Sequence, residues 1–380
     1  MLRKLSCSVL YLSLMSPAVA TPMDNDAGLV ASLYRQMQLP AAGRADDGWR
    51  VKADGDGGWT ADLGVSFLAP YRGTQIPAEL DERLQSIRLQ LLLLQVGQGN
   101  AGNIAFRFGG RPLEAFFTDV PPQMAGRGAD VAAGVDVFVS AGHGWYLHGT
   151  GAGTWRLQRP LVNGMIEDLT TPRFAEKLVM ALQAEGHSTA LARATAFDDH
   201  PQAHKPWWQM ASRYHAKALY PDRPDIWQSY FDRDIPLREY NDDIRARPLL
   251  ANALGARALV HLHTNAGGAQ ASGAMAFHQP GRTDDRRLGH VLLCAMRDAV
   301  HALPAYQDYR VRVQPLQGNY GENRLAAAPS ILIELGFHTH PQDAMALQDP
   351  AFQQAVAQGL RDGHAAYQAG QGSDGQPVCQ

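Results

Sequence analysis

The most regular alternation of apolar residues in the chain lies at residues 135–144, VDVFVSAGHG. The valines at every second position predict a buried strand, and the small residues after it predict a sharp turn. His143 follows this strand between two glycines, so that a metal ion or a substrate could approach its ring closely. Taken alone, this histidine could equally be a structural residue of the turn.

Beyond this strand, short apolar runs alternate with patterns in which apolar residues stand three or four positions apart. Further strands are predicted at residues 189–192, 258–263 and 330–335. The intervening helices are predicted to begin at Thr171-Pro172, to end at Gly255, to contain residues 288–295, and to begin at Asp349-Pro350. This order predicts an α/β fold with a doubly wound, mostly parallel sheet that is flanked by helices.

A small α+β module is predicted ahead of this sheet, at residues 63–122. It comprises a strand at 63–68, a helix that begins at Pro77, and a hairpin of residues 104–108 and 113–117 that turns at Gly109-Gly110. Its sequence gives no indication of a role. Residues 21–62 hold one short helical pattern and a glycine-rich stretch that is typical of a linker.

The main domain is predicted at residues 131–368, followed by a flexible tail at 369–380. Within this domain, residues 195–243 form an aromatic-rich insertion that is longer than most connections. Its tryptophans and tyrosines could stack on sugar rings or grip a peptide, or they could pack on one another. The residues alone favour neither interpretation.

Residues 1–20 combine Arg3 and Lys4, an apolar stretch and the sequence Ala18-Val19-Ala20, which together predict a signal peptide. We therefore expect an exported protein and, in particular, a periplasmic one. No later apolar run is long enough to span a membrane. The net charge of −3 argues against nucleic acid as a partner, which would require a basic surface. After export, Cys294 and Cys379 could form a disulfide, or Cys294 could remain a buried thiol.

Four residues at or near predicted strand ends carry candidate chemistry: His143, Glu167, His263 and Glu334. Two histidines and one glutamate match the three protein ligands of a catalytic zinc, whose fourth position is left for water. Glu334 lies inside the apolar run 331–335, where burial of an uncompensated carboxylate is costly and raises its pKa. Such a carboxylate could take a proton from the water and deliver it to a leaving amine.

Other residues compete for these roles. His261 shares a strand face with His263, which we prefer because it lies nearer the strand end and precedes a turn. Glu167 could also be an ordinary solvated residue. Three further histidines are more typical of surface or supporting positions: His148, His338 and His340.

Four ordered motifs resemble those of the zinc-dependent N-acetylmuramoyl-L-alanine amidases of the type-3 amidase family, over residues of about 131–367. They are VDVFVSAGHG, a glutamate ahead of a helix, ANALGARALVHLHTNA and PSILIELGF. The resemblance implies that His143, Glu167 and His263 bind Zn²⁺ and that Glu334 is catalytic. It also implies that the substrate is peptidoglycan, both glycan strand and stem peptide, and it leaves open a protein activator.

The reaction implied is hydrolysis of the amide between N-acetylmuramic acid and the L-alanine of the stem peptide. The chain departs from the family at Glu167-Asp168, where Glu-Lys is usual, and at His261-Leu262-His263, where Ser-Ile-His is usual. Two alternatives remain at this point. One is a zinc peptidase of related fold that acts on peptide bonds, and the other is a wall-binding protein without activity.

Overall fold

A computed structural model describes residues 49–54, 57–97, 102–119, 134–268, 270–373 and 378–379. The predicted signal peptide, the short helical pattern near residues 29–37 and the junction between module and main domain lie outside the described residues.

The main domain is built on a six-stranded, mostly parallel sheet, which confirms the predicted fold class. The described strands are β1 (Arg50–Ala53), β2 (Trp59–Asp62), β3 (Ile104–Arg107), β4 (Val137–Ala141), β5 (Tyr146–His148), β6 (Thr154–Arg156), β7 (Thr189–Leu191), β8 (Ala258–Asn265), β9 (Met275–His278), β10 (Leu316–Gln317) and β11 (Ser330–Phe337). The spatial order of the large sheet is β10-β9-β11-β8-β4-β7. Strands β11, β8, β4 and β7 run parallel, whereas β9 is antiparallel to β11.

Helices cover both faces of this sheet. The described α-helices are α1 (Ala78–Gly97), α2 (Glu167–Ala184), α3 (Ser212–Leu219), α4 (Pro224–Trp227), α5 (Arg238–Ala253), α6 (Thr283–His301), α7 (Gly321–Arg324), α8 (Pro341–Gln348) and α9 (Pro350–Gln368). Phe174, Leu292 and Phe352 of α2, α6 and α9 pack in one core with β4, β8 and β11. Every residue of β8 and β11 is buried, which explains why these strands are apolar runs on both faces.

Helix α2 begins at Glu167, five residues before Pro172, so the prediction of a helix start at Thr171-Pro172 is wrong. A proline inside a helix leaves the carbonyl four residues earlier without its usual amide donor. Here the guanidinium of Arg193 replaces that donor, since its Nη1 donates to the carbonyl of Asp168 at 2.8 Å. The same nitrogen also donates to the carbonyl of Gly142 at 3.1 Å. A residue from another part of the chain thus permits the helix to extend through the proline.

The N-terminal module contains a three-stranded sheet, β1-β2-β3, and helix α1. Strands β1 and β2 occupy residues that the glycine content assigns to a linker. The predicted strand 63–68 is wrong, because Val65–Leu68 is a 3₁₀ helix. Gly64 precedes it with φ 69°, a left-handed conformation that ends the extended backbone.

The predicted hairpin of residues 104–117 is also wrong. Its first strand, β3, pairs in parallel with β2, and Leu113–Ala115 is a 3₁₀ helix. Pro112 has no amide hydrogen with which to continue a ladder beyond the single bridge of Phe108 and Arg111. The turn itself lies where it is expected, because Gly109 and Gly110 have positive φ and donate their amides to the carboxylate of Asp62.

Helix α1 joins the module to the main domain through a common core. Leu80, Ile87 and Leu91 are fully buried and belong to the same apolar cluster as Phe277 and Leu332 of the large sheet. The module therefore covers part of the second sheet face and is not separated from the main domain by solvent.

The aromatic insertion packs against itself and against the main domain. It contains a 3₁₀ turn at Trp207–Gln209, helices α3 and α4, and the start of α5. Tyr214, Tyr240 and Trp207 pack in one cluster, and Trp227 joins another beneath α5. Phe231 is 72% exposed. Most of these rings belong to apolar cores that the insertion shares with the main domain, which favours a packing role over sugar stacking.

Cys294 of α6 is bonded to Cys379, with the two Cα atoms 5.8 Å apart. The disulfide interpretation is therefore the one that the structure adopts. The amide of Val378 also donates to His290 Nε2 at 3.0 Å. The described end of the predicted flexible tail is thus fixed to α6. Within the described part of the chain, no helix has both the length and the apolar character needed to cross a bilayer.

Candidate metal centre

His143 lies just beyond the carboxyl end of β4, at the rim where parallel strands present ligand-binding groups. Its φ of 65° is rare for a residue with a side chain. Glycine is required on both sides of His143 because other groups lie too close for a Cβ at either position. A Cβ on Gly142 would lie 2.5 Å from Cε1 and Nδ1 of His263, and one on Gly144 would lie 2.7 Å from the backbone nitrogen of Ala211. The Gly-His-Gly sequence therefore allows the second histidine and the insertion to pack directly against the first.

Glu167 is the first residue of α2, and its side chain is buried. Its Oε1 lies 3.3 Å from His143 Nε2 and 3.1 Å from His263 Nδ1. The amide of Thr264 donates to the same oxygen at 2.9 Å, whereas Oε2 lies 3.6 Å from Nε of Arg159. These contacts orient one carboxylate oxygen towards the two imidazoles.

His263, near the end of β8, completes the group. Its Nδ1 lies 3.2 Å from His143 Nε2, so the three donor atoms form a triangle with sides of 3.1–3.3 Å. Ligands bonded to zinc at about 2.0–2.1 Å in a tetrahedron are about 3.3 Å apart. The triangle fits three vertices of such a tetrahedron. The structure thus brings His143, Glu167 and His263 together as a possible metal site.

The outer ring nitrogens of both histidines have their own partners. His143 Nδ1 donates to Gln158 Oε1 at 2.8 Å, and His263 Nε2 donates to Glu322 Oε2 at 3.0 Å. Partners of this kind fix the ring orientation and the tautomer of metal-binding histidines. They are also connected to each other. Gln158 Nε2 and Arg247 Nη2 both donate to Asp243 Oδ2, at 2.9 and 2.5 Å, and Arg247 Nη1 donates to Glu322 Oε1 at 2.7 Å.

The charges of the site favour a cation. Burial alone would lower the pKa of His263, but the carboxylates of Glu322 and Glu167 outweigh this effect and raise that pKa to about 10. Burial alone would raise the pKa of Glu167, yet His143 and His263 hold it well below its ordinary value. A buried place that stabilises positive charge between two carboxylates suits a divalent metal ion.

Glu334 lies on β11 directly beside His263 of β8 in the strand register. It is 3% exposed, and burial raises its pKa to about 7, since the nearby positive charge of His263 offsets only part of the cost. Gln85 Nε2 donates to its Oε1 at 2.7 Å. Its Oε2 has no hydrogen-bond partner among the described residues.

One cavity, of about 300 Å³, is lined by Glu334 together with His143, Glu167 and His263. The other histidines lie outside the triangle of donor atoms, although His338 lines the same cavity. His261 is fully buried and lies near Ser330 and Glu322, at 3.1 and 3.4 Å, and burial lowers its pKa. His338 contacts Thr264, His148 contacts Tyr146, and His340 lies 3.2 Å from Asp343.

Several supporting residues escape prediction from the sequence. Asp168, which stands where the family has lysine, is fully buried and accepts the amides of Gly144, Gln158 and Arg159 at 2.7–3.0 Å. It thereby holds the loop after β4 against the start of α2. The only signal in the sequence is its position at the beginning of a helix, where an acid is favourable.

Arg247 and Glu322 are equally hidden in the sequence. Asp243 and Arg247 have the four-residue spacing of an ordinary surface ion pair, yet both are fully buried. Glu322 lies in a polar segment, GNYGENR, that resembles a solvated loop. The spacing in the sequence could reveal the pair of Asp243 and Arg247, but it could not reveal that this pair is buried.

A buried site of two histidines and a carboxylate at the rim of an α/β sheet has the donor set of a possible metal site of a hydrolase. The family model described as N-acetylmuramoyl-L-alanine amidase (Amidase_3) matches residues 137–365. The chain belongs to this family. It is thus a peptidoglycan hydrolase that cleaves the amide between N-acetylmuramic acid and L-alanine, which separates it from the two alternatives left by the sequence.

Solved structures of amidases are similar to this chain at low identity. The N-acetylmuramoyl-L-alanine amidase of Clostridium difficile 630 is 19% identical, covers 63% of this chain and 100% of its own, and has a TM-score of 0.40. Ami1 of Mycobacterium smegmatis is 19% identical, with coverages of 64% and 100% and a TM-score of 0.41. The catalytic domain of CwlV from Bacillus (Paenibacillus) polymyxa var. colistinus is 18% identical, with coverages of 62% and 98% and a TM-score of 0.40. The comparison with curated proteins found no match.

Proposed function

We propose that this amidase is a zinc enzyme in which His143, Glu167 and His263 hold the metal and Glu334 transfers protons. The observation that supports this proposal most directly is the triangle of donor atoms, with sides of 3.1–3.3 Å, next to a buried carboxylate in the same cavity. The partners of the outer ring nitrogens add support, because they leave His143 Nε2 and His263 Nδ1 as the nitrogens that could bind the metal.

Zinc at such a site would polarise the scissile carbonyl and lower the pKa of water. Proton transfer falls to Glu334. Its Oε2 has no hydrogen-bond partner in the described part of the chain, and its pKa of about 7 allows both protonation states at neutral pH. In this reaction the water oxygen bonds to the carbonyl carbon and Glu334 accepts a proton. The carbon–nitrogen bond then breaks as Glu334 returns the proton to the nitrogen of L-alanine.

The proposed location is outside the cytoplasm, in the periplasm, after removal of residues 1–20. The basic and apolar pattern of those residues supports export. The bond between Cys294 and Cys379 also supports it, since disulfides persist in oxidising compartments. The proposed substrate contacts are with glycan strand and stem peptide, and a protein activator stays a prediction.

The test compares purified wild-type protein with Glu334→Ala, His143→Ala and, as a matched control, His148→Ala. Digestion of purified sacculi, with mass spectrometry of the new L-alanine amines and muramic acid ends, measures the cleavage. Metal analysis measures bound zinc. We expect Glu334→Ala to retain zinc and to lose activity by about 10²- to 10⁴-fold. His143→Ala should lose both zinc and activity, whereas His148→Ala should keep both. Full turnover in either of the first two variants would contradict the role proposed for that residue.

A further inference from the structure

Helix α1 lies outside the family-matched residues 137–365, yet it forms one wall of the cavity at the metal centre. Five of its side chains besides Ala78 line this cavity: Asp81, Glu82, Gln85, Ser86 and Leu89. Together with Ala78, three of them (Glu82, Gln85 and Leu89) recur at intervals of three or four residues and thus share one helix face. A segment without an assigned role therefore contributes a continuous surface to the reaction site.

The opposite side of α1 is anchored in the protein interior. Leu80, Ile87 and Leu91 are fully buried and pack with Phe277 and Leu332 of the large sheet. Removal of this helix would expose apolar area on both partners. Its place against the sheet is consequently part of the folded core, unlike that of a lid held only by surface contacts.

Polar contacts fix the same helix along its length. The amide of Ala78 donates to Asn241 Oδ1 at 2.6 Å, and Arg88 Nη1 donates to the hydroxyl of Tyr320 at 2.9 Å. Between them, Asp81 lies 3.3 Å from Arg324. These contacts set the register of α1 relative to α5 and to the segment around α7, so that the side chains facing the cavity have fixed positions.

Two residues on the cavity face of α1 make contacts at the candidate site. Gln85 donates to Oε1 of Glu334 at 2.7 Å, and Glu82 pairs with Arg159 at 2.7 Å, the arginine that lies 3.6 Å from Glu167. The contact of Gln85 occupies one carboxylate oxygen of Glu334, and the other has no hydrogen-bond partner from the residues that the structure describes. An uncharged donor can do this without forming an ion pair that would compete for the proton.

We propose that Gln85 is a positioning residue of the amidase reaction and that α1 is an integral part of the catalytic site. This inference rests on the proposed role of Glu334. By holding Oε1, Gln85 fixes the carboxylate plane of Glu334 and presents Oε2 to the cavity. The module that contains α1 thereby acquires a function in catalysis, in place of separate attachment to the wall.

The test uses the full-length mature protein with Gln85→Met, which keeps the length of the side chain and removes the donor. Gln90→Met is the matched control, because Gln90 lies on the same helix, is not among the residues that line the cavity and undergoes the same substitution. Steady-state rates on a soluble N-acetylmuramoyl-peptide give kcat and KM separately, and metal analysis gives the zinc content. Glu334→Gln is measured in parallel.

We expect Gln85→Met to lower kcat by about 10- to 100-fold, the effect of removing a hydrogen bond to a charged group. KM should change by less than about threefold and zinc content should not change, because neither the metal ligands nor the bulk of the wall is altered. Gln90→Met should match the wild type.

Wild-type kcat in Gln85→Met, with Glu334→Gln inactive, would overturn this inference and leave the role of Glu334 intact. An active Glu334→Gln variant would overturn the proposed function itself. A higher kcat in Gln85→Met would also overturn the inference, since it would make α1 an inhibitory cover. A loss confined to KM would assign Gln85 to substrate binding and would refute positioning.

Discussion

Substitution of Gly142 by alanine tests how closely the two histidines must pack. The new Cβ would lie 2.5 Å from Cε1 and Nδ1 of His263, whereas such contacts are normally about 3.5–4.0 Å. Either the ring or strand β4 must therefore move by about 1 Å. Metal–ligand distances tolerate only about 0.2 Å, and Nδ1 is the atom that faces His143 and Glu167. We expect zinc affinity to fall by about 100-fold or more, equivalent to about 2.7 kcal/mol.

The assay is competition for zinc between dialysed protein and a chelator of known affinity. Gly268→Ala is the matched control: it lies five residues beyond His263, its backbone is not in the left-handed region, and a Cβ there would meet nothing within 4 Å. This control should bind zinc as the wild type does. Thermal unfolding of the metal-free proteins measures separately the strain of overpacking, about 1–3 kcal/mol for Gly142→Ala.

Zinc affinity within about threefold of the wild-type value in Gly142→Ala would refute this reasoning. It would mean that β4 can yield without displacing His263, and that the glycine before His143 serves only the backbone turn. An equal loss in Gly268→Ala would attribute the effect to general sensitivity of this rim instead of the contact with the ring.

The remaining predictions concern stability. Burial raises the pKa of Glu334 from 4.5 to about 7 in the folded protein, so between these pH values the carboxyl ionises mainly in the unfolded chain and the metal-free fold loses stability as pH rises. Glu334→Gln should thus raise Tm by a few degrees above pH 7 and by little at pH 4.5; an advantage independent of pH would contradict this. Arg193→Met should cost about 1–3 kcal/mol, because the carbonyl of Asp168 loses its donor and the carbonyls of Gly142 and Trp208 each lose a hydrogen bond. In a Pro172→Ala background the amide of residue 172 can donate to the carbonyl of Asp168, so Arg193→Met should cost about 1 kcal/mol less. Chemical denaturation measures both costs, and equal costs in the two backgrounds would contradict the idea that Arg193 replaces the missing amide.

The strands that carry the site could be predicted because burial on both faces demands long apolar runs. A polar residue at the end of such a run, or inside it, is therefore conspicuous. His143, His263 and Glu334 were all visible in this way, and the structure places them at one cavity. The starts of helices and the turns were harder to predict from the sequence. The helix begins ahead of Pro172 only because Arg193, a residue beyond the next strand, supplies the missing donor.

The sequence by itself determined the α/β class, the positions of four central strands and the residues that could bind metal, because these depend on local periodicity and on the cost of burying charge. Tertiary structure alone decided that Gln158 and Glu322 hold the outer nitrogens of the histidines, and that α1 completes the cavity with Gln85 on Glu334. Those contacts join residues up to 249 positions apart. Their side chains are ordinary polar residues in the sequence, and only the packing of helices on the sheet removes them from water and directs them to the site.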